Sequence, residues 1–69
     1  MIEVFKTNVQ KRAESRKLLS VLSKTFPSVK ANFDLSDCDS VLRVEGENAE
    51  VLKIRVLVKA HGFMCEVLD

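Results

Sequence analysis

Sixty-nine residues, 46% hydrophobic and 30% charged with a formal net charge of +1, describe a folded domain rather than a disordered chain. A balance so near neutrality provides no long-range field to gather nucleic acid or an anionic membrane. No stretch approaches the ~20 apolar residues of a membrane span, and two cysteines, Cys38 and Cys65, are too few for a secreted disulfide framework.

A chain of this size buries only about 60% of its unfolded surface. Apolar burial then nearly cancels a chain-entropy cost of roughly 1.5 kcal/mol per ordered residue, so tight packing or a partner subunit is expected to help. The N-terminus has no cationic start followed by an apolar run. With no linker, repeat or low-complexity segment, residues 1–69 are expected to form one domain of a small cytoplasmic protein with free thiols.

Residues 2–7, "IEVFKT", alternate and are rich in β-formers, which predicts a strand with Ile2 and Val4 inward. "TNVQ" breaks the pattern, and Thr7 or Asn8 can cap the next element. Residues 10–25 contain neither Gly nor Pro. Ala13, Leu18, Leu19, Val21, Leu22 and Phe26 recur there at helical spacing, an amphipathic helix that Pro27 ends.

"VKANFDL" alternates, with Val29, Ala31, Phe33 and Leu35 on one side of a strand. "SDCDS" is dense in turn formers. "VLRVEG" alternates again with Leu42 and Val44 inward, so the two runs predict a hairpin, closed off by Gly46.

Residues 49–63, "AEVLKIRVLVKAHGF", fit two periods. Leu52, Ile54, Val56 and Val58 alternate as in a strand, yet Val51, Ile54, Leu57 and Val58 share one side of a helix. The ends decide for the helix. Asn48 suits an N-cap, Glu50 suits a first turn, and His61 followed by Gly62 suits a helix stop. "FMCEVLD" is then a last strand, with Cys65 inward.

The order β-α-β-β-α-β makes an α+β, ferredoxin-like two-layer sandwich. Right-handed crossovers put both helices on one face of an antiparallel sheet of order 4-1-3-2.

The chain resembles the heavy-metal-associated domain, the fold of copper chaperones and of the N-terminal modules of copper-pumping ATPases. "LLSVLSKTFPSVKANFDL" resembles that family's first helix, Pro-containing turn and second strand, and "AHGF" its Gly-aromatic pair before the last strand. The resemblance implies the fold. The family's activity lies in a Met-x-Cys-x-x-Cys motif after the first strand, where two thiolates hold a soft ion. "KTNVQKRAES" stands there instead, with Lys11 or Arg12 at the first thiol position and Glu14 or Ser15 at the second. A relative without the metal site, metal ligands or cofactor is therefore expected.

The remaining cysteines do not replace it. Cys38 at the hairpin tip after the second strand and Cys65 at the start of the fourth go with opposite edges of the sheet, roughly 10–15 Å apart at ~4.8 Å per strand, whereas a disulfide needs Cα atoms within about 7 Å. Asp34, Asp37 and Asp39 around Cys38 read as a polar turn rather than a cation loop. Lys6, Lys11 and Arg12 surround the helix start and form a candidate anion site. His61 reads as a helix-end cap. No nucleophile–base pair is visible, so no catalytic residue and no enzyme activity are expected. Nucleic-acid binding is not expected either. Among the four Phe residues only Phe5 is placed outward, beside Arg43 and Lys30, and base stacking needs two or three aromatics.

One apolar set has no place in the core. Leu52, Val56 and Ala60 form a second apolar ridge nearly opposite the first, a candidate interface for a homodimer or a protein partner. The expected function is thus a small binding and interaction module. The alternative is a metal-ion or small-anion carrier using the loop end near Lys6, Lys11 and Cys38, and a small ligand held at a dimer interface is a third possibility.

Overall fold

A computed structural model describes residues 2–36, 40–46 and 50–68. The elements are β1 (Ile2–Thr7), α1 (Arg12–Thr25), β2 (Lys30–Asp34), β3 (Val41–Glu45), α2 (Val51–Ala60) and β4 (Cys65–Val67). The strands form one antiparallel sheet of order β2-β3-β1-β4. This is the ferredoxin-like topology, and the stretch with two periods is a helix. No helix among the described residues is long and apolar enough to cross a membrane.

The core is Phe5, Val9, Leu18, Leu22, Leu42, Val44, Ile54, Val58 and Cys65. It fills the space between the inner sheet face and the two helices. At about 1.5–3 kcal/mol for each large apolar side chain taken from water, these residues supply most of the drive to fold.

The first strand faces the other way from the sequence reading. Phe5 is 0% exposed and Thr7 is buried, while Ile2 lies exposed. Phe5 stands directly across from Leu42, and Leu42 across from Phe33, so one row of side chains crosses three strands on the helix side. β1 is apolar at Ile2, Val4 and Phe5, so alternation alone leaves its facing ambiguous. Pairing with β3 resolves it, because opposite residues share a face.

The first helix begins at Arg12 rather than at residue 10, and neither Thr7 nor Asn8 caps it. The Thr7 hydroxyl donates to the Ser40 carbonyl at 2.6 Å and accepts the Val9 N–H at 3.3 Å. Asn8 Oδ1 accepts the Met64 N–H at 2.7 Å. With both polar side chains engaged in the β1–α1 loop, the helix start falls to Lys11, whose N–H donates to the Glu14 carboxylate at 3.3 Å. Ala13 leaves the apolar stripe and is exposed, and Ser15, Leu18 and Leu22 are the buried residues of α1.

Glu50 is the N-cap residue of α2 rather than part of its first turn, and Asn48 lies outside the described residues. The helix stops as read: His61 Nδ1 lies 3.0 Å from the Leu57 carbonyl, and Gly62 takes a φ of 90°. α2 is tied to β4 by Arg55, whose Nε donates to the Cys65 carbonyl at 3.2 Å and whose Nη2 meets Glu66 at 3.1 Å. Lys59 reaches the same carboxylate at 3.6 Å.

Candidate functional site

α2 presents three faces. Ile54 and Val58 point into the core, Arg55 and Lys59 reach β4, and Leu52, Val56 and Ala60 remain outside. Leu52 is 72% exposed and Val56 67%. The four-residue spacing of the ridge stacks its side chains along one line of the helix.

The ridge does not stand alone. With Thr25 and Phe26 at the end of α1, and Lys53 and Leu57, it lines a shallow groove of about 380 Å³. Phe26 and Leu57 are half-buried, so they form the floor. The Phe26 N–H donates to the Leu22 carbonyl at 2.8 Å, which fixes the aromatic ring's backbone at the helix end. Sequence reasoning places Phe26 and Leu57 in the core stripes and does not join them to the ridge. The missing information is that the end of α1 lies beside α2.

Lys53 and Lys59 flank the apolar line. Lys53 pairs with Glu50 at 3.1 Å, one turn earlier and largely in water. A pair this exposed contributes only about 0–1 kcal/mol and exchanges readily for another anion.

The loop end is arranged differently from the candidate anion site. Lys6 lies on the open sheet face, directly opposite Glu66 of β4, while Lys11 and Arg12 begin α1 on the helix side of the sheet. Cys38, Asp37 and Asp39 lie outside the described residues, and so does the Cys38–Cys65 separation. Asp34 accepts the Ser36 N–H at 3.1 Å and the Ser36 hydroxyl at 2.6 Å, which makes the start of that turn a local carboxylate cap. Phe5, read as the outward aromatic, is in the core.

The donor set at the start of α1 does not suit a soft metal ion. Lys11 and Arg12 are cations, Glu14 is a hard oxygen donor engaged with the Lys11 N–H, and the Ser15 hydroxyl donates to the Arg12 carbonyl at 2.8 Å. Among the described residues, no three His, Cys, Asp or Glu side chains gather into a metal cluster. Cys65 is 0% exposed. Burial pushes its thiol up to about 11, against smaller opposing pulls that include the Arg55 guanidinium, so at neutral pH it is a protonated core side chain and not a thiolate.

No family model matches the chain, and no curated protein does. By structure the class is one of fold, a ferredoxin-like two-layer sandwich with sheet order β2-β3-β1-β4. A similar solved structure is the yeast copper transporter domain CCC2A in its apo and Cu(I)-loaded states. It aligns with a TM-score of 0.82 over 99% of this chain and 94% of that one, at 17% sequence identity. At that identity the likeness is one of fold.

Proposed function

We propose that this chain is a cytoplasmic protein-docking module, and that its contact surface is the groove built on Leu52, Val56 and Ala60. The observation that carries this reading is the exposure of Leu52 and Val56 on a ridge with a half-buried apolar floor beside it. Large apolar side chains in a line, rimmed by charge, mark an interaction surface rather than a solvated helix face. The buried free thiol at Cys65 fits a reducing compartment.

The charges around the ridge select the occupant. A second copy docking antiparallel about Val56 would bring Lys53 against Lys59 of that copy, and like charges oppose such pairing. A segment of another protein with apolar anchors and acidic flanks matches both the ridge and its lysines. The helix-in-groove mode suits this shape, with anchors spaced along one stripe.

A synthetic amphipathic helix with a leucine stripe and flanking glutamates is the probe. By fluorescence anisotropy it is expected to bind the wild-type chain and to lose binding to Val56→Lys. The same peptide with flanking lysines is expected to bind more weakly. Equal binding by both peptides, or undiminished binding to Val56→Lys, contradicts the reading.

A further inference from the structure

The edge of the sheet formed by β2 has a second property that the docking groove does not explain. β2 ends the sheet, with β3 on one side and nothing among the described residues hydrogen-bonded to the other. Alternate N–H and C=O groups of an edge strand point outward, open to a further strand. Two hollows run along this edge on the helix side. One of about 520 Å³ lies between Leu19, Ser20 and Ser23 of α1 and the strand around Ala31. The other, about 400 Å³, continues past Phe33 to Leu35. α1 therefore stands off from the edge and leaves space for inner-face side chains of an added strand.

The edge sequence is complementary to itself. Reversed and laid against its own copy about Asn32, Lys30 meets Asp34, Ala31 meets Phe33, and Asn32 meets Asn32. The match continues beyond the strand, where Val29 meets Leu35 and Ser28 meets Ser36. Every pair is charge with opposite charge, apolar with apolar, or polar with polar. Moving the register by two residues in either direction pairs Lys30 with Asn32 or Ser36 and removes both charge pairs. Moving it by one places outer side chains opposite inner ones. Glu45 lies across from Lys30 on β3, so a row across the joined sheet reads acid, base, acid on the open face. Asp34 keeps its Ser36 bonds in this arrangement, because a carboxylate has several acceptor positions.

We propose that two copies of this chain associate through β2, antiparallel and two-fold about Asn32, to give one continuous sheet across both. The occupant of this edge is thus a second copy of the chain. The interface is isologous, so each pair off the axis occurs twice and Asn32 meets its copy once on it. Opposite charges across strands, apolar side chains filling the α1 hollow and the backbone ladder act together.

The test is a sedimentation concentration series on the full chain and four variants. The wild type is expected to associate to a dimer. Lys30→Glu alone and Asp34→Lys alone are each expected to weaken association by about tenfold or more, since both symmetric pairs become repulsive at once. An equimolar mixture of these two single variants is expected to recover a dimer, because one chain then offers two acidic side chains and the other two basic ones. The double variant K30E/D34K is expected to recover it alone. The mixture also controls for folding, since misfolded chains would not rescue each other. Val56→Lys is expected to leave association unchanged, which separates this edge from the docking groove. A monomeric wild type, unaltered association in both single variants, or a mixture that stays monomeric overturns the proposal.

Discussion

Thr7 and Ser40 are joined across the sheet by a 2.6 Å hydrogen bond from the threonine hydroxyl to the serine carbonyl. Ser40 has a φ of 45°, a left-handed conformation that a non-glycine residue adopts at a cost. The bond therefore fastens the point where the chain enters β3, while the same oxygen receives the Val9 N–H and holds the β1–α1 loop. Thr7→Val keeps the shape and removes both partners. Leaving a buried carbonyl and a buried N–H unsatisfied costs roughly 1–3 kcal/mol each at most sites, so urea unfolding is expected to show a clear fall in midpoint. An unchanged midpoint would mean that water replaces the hydroxyl.

The reversed facing of β1 has a direct consequence. Phe5→Ala should cost about 3–5 kcal/mol, as removal of a fully buried ring does, and a domain this small would be largely unfolded by it. Ile2→Ala, on the exposed side, should stay within about 0.5 kcal/mol. Far-ultraviolet circular dichroism during a thermal scan separates them. Equal losses would return Ile2 to the core.

How far the sequence reaches is clearest at these two places. The helical identity of residues 51–60 is legible because His61 and Gly62 carry local stop signals, and the sheet order follows from the element order. The facing of β1 is not legible, since apolar residues occupy both of its sides and the deciding partner, Leu42, is far along the chain. The start of α1 is misread for a similar reason. Thr7 and Asn8 have the chemistry of caps, but Ser40 and Met64, distant in sequence, take their side chains. The ridge of Leu52, Val56 and Ala60 is visible as a doubled period. Its floor at Phe26 is not, because only packing brings α1 beside α2. The self-complementarity of residues 28–36 is present in the sequence and gains meaning once β2 is placed at the edge.

Two glycines should respond to alanine for different reasons. A Cβ at Gly46 would lie 2.8 Å from Val29 Cγ1 and 3.3 Å from Val29 Cα, too close for either to stay in place. Gly46→Ala is expected to cost about 1–3 kcal/mol through overpacking. A Cβ at Gly62 would meet nothing within 4 Å, so the loss there comes from the positive φ alone, about 1–2 kcal/mol. Crystal structures of the variants should show Val29 displaced in the first and no displaced neighbour in the second. The reverse pattern would refute the distinction.

Cys65 gives a pH dependence with a definite sign. Its folded pKa, about 11, lies above the thiol's unfolded value of about 8.5. The unfolded chain therefore releases this proton first as pH rises. Stability from the buried thiol is complete below the unfolded value and is lost progressively up to the folded one. Denaturant midpoints should fall from about pH 8.5 to 11, and Cys65→Ala should flatten that part of the curve. In the same vein, native mass spectrometry of the reduced chain with Cu(I) or Zn(II) is expected to show no stoichiometric adduct. A one-to-one adduct would favour the carrier reading at the loop end.

The docking surface itself is tested most directly by mapping backbone amide shifts while the glutamate-flanked amphipathic helix is titrated into the labelled chain. Perturbations are predicted to concentrate at Phe26, Leu52, Lys53, Val56, Leu57 and Ala60, and to vanish in Val56→Lys. Shifts centred on Lys6, Lys11 and Arg12 instead, or spread evenly over the molecule, would contradict the account.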